Sequence, residues 1–289
     1  MKLRYPDFLC IGAQKAGTTW LHKNLLSHPA VWMPPLKEIH YFDSVHSDRN
    51  DEFNPTPRRP DAVLKGVRRT LESDSDANRK IETIYLLALI GIRQLDDEWY
   101  GRIFQSARQD QLCGEITPAY ALLPHSGIEH IVRLNPAIKI IFVLRDPIGR
   151  AWSELRMMQK RAGKELSSLD HIIARPAFLA HCNYTSTIKR FLKHVDRGHF
   201  HLLFFDEISE TPDITLERVC DFLGVGYERE NFRHPERVVH RGMDQQIDSS
   251  TYLLLRERLK PVYEQLLRLD NPYVKKWYME HFGLNACAS

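Results

Sequence analysis

A lysine, two glycines and two threonines close to the N-terminus have the types and the order needed to hold a phosphate. The stretch Phe8-Leu-Cys-Ile-Gly-Ala-Gln-Lys-Ala-Gly-Thr-Thr-Trp20 begins with an apolar run of strand character. Small residues around Lys15 follow, and helical spacing begins at Thr18-Thr19. Gly12 and Gly17 let the backbone come close to a ligand. A helix N-terminus offers unpaired amides to an anion, Thr18 and Thr19 add hydroxyls, and Lys15 adds a point charge. The order departs from the nucleoside triphosphate loop, in which lysine directly follows the second glycine; Thr18 has that place, and the lysine sits inside the loop. That arrangement points to a nucleotide handled without magnesium.

A second group of chemical residues is Lys37-Glu-Ile-His-Tyr-Phe-Asp43, which follows Pro34-Pro35. A carboxylate and an imidazole just after a strand end are where α/β proteins put chemistry. An extended segment would put Glu38 and His40 on one face, so either could serve as general base. A third group is Arg145-Asp-Pro-Ile-Gly-Arg-Ala-Trp-Ser153, which follows the most apolar run of the chain, 137–144. Pro147 suits a first helical turn, placing Arg145 at a strand end and Ser153 about two turns into a helix. An arginine fork there matches a terminal phosphate.

These three segments together resemble sulfotransferases that use 3′-phosphoadenosine 5′-phosphosulfate (PAPS), and the Glu38 segment is similar to the heparan sulfate, or carbohydrate, type. The resemblance implies that Lys15, Ala16, Gly17, Thr18, Thr19 and Trp20 hold the 5′-phosphosulfate and that Arg145 and Ser153 hold the 3′-phosphate. It implies a basic loop, Arg241-Gly242, closing over that phosphate. It favours Glu38 over His40 as the base that deprotonates an acceptor hydroxyl, with Lys15 at the leaving oxygen. PAPS is then the cosubstrate, its product PAP a ligand, and no metal is needed. The acceptor implied is a saccharide, ahead of a small natural product or a lipid alcohol. Leu112-Cys-Gly-Glu-Ile-Thr-Pro-Ala-Tyr120 resembles a segment that lines the acceptor site in the heparan sulfate type, with Ile116 in place of a lysine; in the Arg241 loop, Met243 replaces a second basic residue. A P-loop kinase or NTPase, or a nucleotide-binding protein without catalysis, would also explain the first segment alone.

The elements that must carry these groups are strands near 8–11, 30–33, 112–116, 138–144 and 201–205 alternating with helices. That order gives an α/β fold: a single domain, 1–289, with a central, mainly parallel sheet flanked by helices, of P-loop-like architecture. Residues 44–98 read as a helical and irregular insertion over the acceptor side. Within it, helices are expected from Asp61 to Leu71 and from a buried Arg79 to Leu95, with Arg58, Arg59, Lys65, Arg68 and Arg69 as basic surface. Tyr184, at a helix start, either stacks near an adenine or packs in the core. A further helical region spans 249–269, with Pro261 marking a kink or a new start.

The 289 residues are 43 % hydrophobic and 27 % charged, enough for a sizeable core. A net charge of +3 is too small a bias to argue for nucleic acid. The longest apolar run, 84–92, is too short for a transmembrane segment. The five cysteines form no CxxC pair, which argues against a disulfide framework or a zinc site and points to the cytoplasm.

Overall fold

A computed structural model describes residues 3–46, 60–73, 77–162, 169–232, 235–236 and 247–283. Five strands, β1 (Phe8–Gly12), β2 (Val31–Trp32), β3 (Leu112–Ile116), β4 (Lys139–Leu144) and β5 (Phe200–Phe204), form one sheet in the order β2-β3-β1-β4-β5. Every neighbouring pair is parallel. β1 is therefore central, and all its residues are buried, as a strand covered on both faces requires. Its register aligns Phe8 with Gly114 and with Lys139. The Phe8 ring fills the space beside Gly114: a Cβ on Gly114 would lie 2.1 Å from Phe8 Cζ.

The helices in chain order are α1 (Thr18–Ser27), α2 (Tyr41–His46), α3 (Pro60–Leu71), α4 (Ala77–Ile92), α5 (Asp97–Ile103), α6 (His125–Leu134) and α7 (Pro147–Ala162). They continue as α8 (Leu169–Ile173), α9 (Pro176–Ala180), α10 (Tyr184–Phe191), α11 (Phe205–Glu210), α12 (Pro212–Leu223), α13 (Ser249–Leu266) and α14 (Pro272–Phe282). The crossovers β1-α1-β2, β3-α6-β4 and β4-α7-α10-β5 bring the loops after β1, β3 and β4 to one edge of the sheet, where ligand sites of such folds lie.

Each expected strand is present to within a residue or two. In α1, Trp20, Leu21 and Leu25 are buried against the sheet and Leu26 is 51 % exposed. α13 runs unbroken through Pro261. In α4 the expected all-round burial does not hold. Leu86, Leu87, Leu89 and Ile90 are buried, while Ile81, Tyr85 and Ile92 face solvent, because the helix packs through one side only. Arg58, Arg59, Arg241, Gly242 and Met243 lie outside the described residues.

Candidate active site

The loop between β1 and α1 is anchored at both ends. Ala13 N donates to Val143 O of β4 at 2.8 Å, and Ala16 N donates to Ala13 O at 3.2 Å. Gly17 has φ +90°, the left-handed conformation that suits glycine, and a Cβ there would approach Phe205 to 3.0 Å. Gly17 offers no side-chain cap; Trp20 N donates to Gly17 O at 2.9 Å, and the Thr18 and Thr19 amides ahead of it have no acceptor among the described residues. Thr18 is buried at the same corner, and Ala16 and Trp20 are core residues. Trp20 therefore supports the loop: its indole Nε1 donates to Pro235 O at 2.6 Å.

Three cationic side chains approach this corner from different elements. Lys15, in the left-handed region at φ +68°, brings its Nζ to 3.9 Å from Met157 Sδ on α7. Arg145, at the end of β4, donates from Nη1 to Lys15 O at 2.9 Å, and its guanidinium lies 4.5 Å from the centre of the Phe205 ring. Burial, with the charge of Arg156 nearby, holds the Arg145 guanidinium below its ordinary range, opposed by Tyr184, Asp146 and Asp206. Like charges kept together in a partly dry corner favour an anion between them. Lys37 is the third cation: its Nζ is 3.4 Å from Thr18 Oγ1 and 2.6 Å from Glu38 Oε1.

Ser153 is half-buried on α7. Among the described residues no hydrogen bond joins it to Arg145. Arg156 lies three residues further along α7, close enough to Arg145 for their charges to interact, and sequence reading overlooked it. Tyr184 is a packing residue. It is 1 % exposed, its hydroxyl donates to Arg145 O at 2.9 Å, and its ring meets Phe142 edge-on.

The Glu38 segment is not extended. Glu38 and His40 both take positive φ, +63° and +57°, in a tight loop before α2, and that loop, rather than strand alternation, turns both side chains the same way. Glu38 N donates to Ile116 O at 3.2 Å, tying the loop to the end of β3. His40 has one ring nitrogen, Nδ1, 2.6 Å from Asp43 Oδ2 and the other, Nε2, 3.7 Å from Glu38 Oε2. Burial works against the charged imidazole, but Asp43 and Glu38 outweigh it and raise His40 to about 9. Burial also opposes the Glu38 charge, and His40 and Lys37 outweigh it, holding the carboxyl well below the usual range. With its side chain 39 % exposed, Glu38 remains open to a second reactant.

Beneath this loop lies a group that sequence reading assigned no role. Glu115, on β3 and 1 % exposed, accepts from Ile39 N at 3.1 Å, Thr117 Oγ1 at 2.5 Å, Tyr120 Oη at 2.9 Å and Tyr100 Oη at 2.6 Å. Burial raises its carboxyl against those donors. Glu115 fixes the backbone between Glu38 and His40. The signal for it was available: a carboxylate within a strand that is otherwise apolar is buried, and a buried carboxylate needs partners. Ile116 is buried at 1 % exposure.

No group of three or more His, Cys, Asp or Glu side chains able to hold a metal occurs among the described residues, and no helix described is long and apolar enough to cross a membrane.

A phosphate-type loop and a nearby carboxylate at one edge of a parallel sheet define an α/β protein with a candidate phosphate site and a candidate catalytic base. The chain belongs to the sulfotransferase family, whose pattern matches residues 6–229. It is 24 % identical over 232 residues to heparan sulfate glucosamine 3-O-sulfotransferase 5 of Mus musculus, a match covering 76 % of this chain and 54 % of that protein. The membrane-associated sulfotransferase kil1 of Dictyostelium discoideum is 26 % identical over 180 residues, covering 60 % of this chain and 28 % of that one. The chain thus spans about half the length, or less, of these curated relatives. The fold is shared with a sulfotransferase from Alicyclobacillus acidocaldarius, with a TM-score of 0.65, 21 % identity and coverage of 95 % and 99 % of the two chains. It is also shared with a mouse sulfotransferase complexed with PAP, with a TM-score of 0.51, 11 % identity and coverage of 96 % and 90 %.

Proposed function

We propose that this protein transfers a sulfuryl group from PAPS to an acceptor hydroxyl. The observation that carries the reading is the single cluster of Lys15, Lys37, Arg145 and the first turn of α1, with Glu38 bonded to Lys37 at its margin. Lys15 and the Gly17, Thr18 and Thr19 amides and hydroxyls hold the 5′-phosphosulfate, with Ala16 and Trp20 as the packed support of that loop. Arg145 and Ser153 hold the 3′-phosphate, and Arg156 joins them.

Family membership and the PAP complex of a structural neighbour support PAPS as cosubstrate. In the reaction the acceptor O–H gives its proton to the Glu38 carboxylate while its oxygen forms a bond to sulfur. The bond from sulfur to the 5′-phosphate oxygen breaks, and PAP leaves with that electron pair. Lys15, Lys37 and the α1 amides offset the charge growing on the leaving oxygen.

The protonation states favour Glu38 as base over His40. At neutral pH the imidazole carries its proton, whereas Glu38 is ionised. A carboxylate held so low is a weak base, so Lys37 must release Glu38 as charge builds on the leaving group, and its position within reach of Thr18 suits that exchange.

The acceptor favoured is a saccharide hydroxyl. Its support is the likeness of the Glu38 segment to relatives named for heparan sulfate glucosamine. In this reading α3 and α4 cover the acceptor side; Arg93 Nη2 donates to Ser44 Oγ at 2.7 Å, beside Asp43. The four cysteines among the described residues are free and buried, which supports a reducing compartment such as the cytoplasm. Screening hydroxyl acceptors with PAPS labelled in its sulfuryl group tests the proposal: label should pass to one acceptor class in the wild type and not in Glu38→Gln.

A further inference from the structure

At the surface, α6, α10 and α13 line an open recess of about 350 Å³. Lys189, Arg190 and Lys193 on and just after α10 supply its charged lining, His125 at the start of α6 adds an imidazole, and no carboxylate lines it. The remaining lining is neutral and polar, including Ser186 and Gln265.

Arg190 is held in place by neutral oxygens alone. Its Nε donates to Leu123 O at 2.8 Å, Nη2 to Ala121 O at 2.6 Å and Nη1 to Ser186 Oγ at 3.2 Å. Burial, with no acidic neighbour to offset it, holds this guanidinium below its ordinary range. Lys189 and Lys193 are exposed and have no ion pair among the described residues. The nearest acid on α6, Glu129, faces His194 at 3.8 Å, and His194 in turn bonds His125 at 2.8 Å.

One helix start adds to the field: α6 begins at His125 behind Pro124 with no side-chain cap, whereas the first turn of α10 is capped, Ser186 N donating to Asn183 Oδ1 at 3.2 Å. Thr185 and Gln265 bond each other at 2.8 Å across α10 and α13, which fixes the far wall. A smaller apolar recess next to it adds Arg268 to the same rim. Converging cations without a counter-charge repel one another, and a multivalent anion removes that cost.

We propose that this recess is a second anion site, which takes a compact phosphate or sulfate polyanion with at least two charged groups. Lys189 and Lys193 pair with it as mobile point charges, and Arg190, whose nitrogens are anchored to Leu123 O, Ala121 O and Ser186 Oγ, adds a fixed positive charge at the wall. A free ligand and a lipid headgroup share this chemistry, so the test uses a probe for each: inorganic pyrophosphate by calorimetry, and vesicles of phosphatidylcholine with phosphatidic acid by co-sedimentation.

Both probes are applied to the wild type, to Lys189→Ala/Lys193→Ala, to Lys15→Ala, and to Lys65→Ala/Lys80→Ala, which loses the same charge elsewhere on the surface. The lysines replaced in the first double variant are exposed, so the fold should be kept, and an unchanged thermal transition checks this. We expect at least one probe to bind about tenfold or more weakly to Lys189→Ala/Lys193→Ala, and that component to survive in Lys15→Ala and in Lys65→Ala/Lys80→Ala. Loss of pyrophosphate alone assigns a free anion, and loss of vesicle binding assigns a headgroup. Failure of both probes to bind, or binding that is lost only in Lys15→Ala or equally in both double variants, overturns the proposal.

Discussion

The imidazole of His40 donates from Nδ1 to the carboxylate of Asp43 at 2.6 Å. This bond, made from a loop residue to the first turn of α2, sets the charge of everything around Glu38. His40 rises from an ordinary value near 6.5 to about 9. Its contribution to stability is therefore complete below pH ~6.5 and disappears as pH passes 9, worth about 3 kcal/mol at most. Denaturant midpoints of the wild type should fall between pH 7 and 10, and those of His40→Gln should fall less over the same range. Parallel curves for the two proteins would contradict the assignment.

Lys37 should matter to turnover more than to cofactor affinity. It touches Glu38 and Thr18 rather than lying within the β1–α1 loop. Removing a donor aimed at developing charge costs about a hundredfold to a thousandfold in rate. Lys37→Ala should lower kcat by about that much while binding PAP within a few-fold of the wild type. A loss confined to PAP affinity would make Lys37 a ligand of the ground state only.

Arg145 should discriminate the 3′-phosphate. Charge-assisted hydrogen bonds are worth about 1.5 to 3 kcal/mol, or tenfold to a hundredfold. In Arg145→Ala the preference for adenosine 3′,5′-bisphosphate over adenosine 5′-monophosphate should shrink by that factor. Because Arg145 also braces Lys15 O, both nucleotides are expected to weaken somewhat. Equal weakening of the two, with the preference intact, would reduce Arg145 to a brace.

Glu115 should be needed for the fold of the active loop. Its carboxylate satisfies four donors, three of them hydroxyls. Glu115→Gln leaves one acceptor oxygen and turns an amide N–H₂ toward hydroxyl groups, costing about 2 kcal/mol or more. The thermal midpoint should drop by several degrees and kcat should fall with it, whereas Tyr100→Phe, which removes one donor, should cost less. An unchanged midpoint in Glu115→Gln would contradict the hub.

The strands and the β1–α1 loop were legible because their signals are local. An apolar run followed by Gly, Lys, Gly and Thr-Thr leaves the chain few alternatives. Glu38 and His40 were legible as residues but not in their geometry. Their shared direction comes from two positive φ values that strand alternation does not contain. Lys37 was given no role from the sequence, since nothing local says that Thr18 stands across from it. Arg156 becomes visible only when β4 and α7 are brought together, whereas the burial of Glu115 was legible in its apolar strand and only its partners were not. The half-exposed face of α4 was misread because an apolar helix centre does not say how many neighbours cover it.

The central claim is that the corner at Lys15 and Arg145 binds a nucleotide with separate 5′ and 3′ charges and no metal. Calorimetry of the purified chain with adenosine 3′,5′-bisphosphate in EDTA, set against ATP with magnesium, tests it most directly. The expected result is saturable, metal-free binding of the bisphosphate that weakens in both Lys15→Ala and Arg145→Ala. Binding of magnesium-ATP in preference to the bisphosphate would contradict the account.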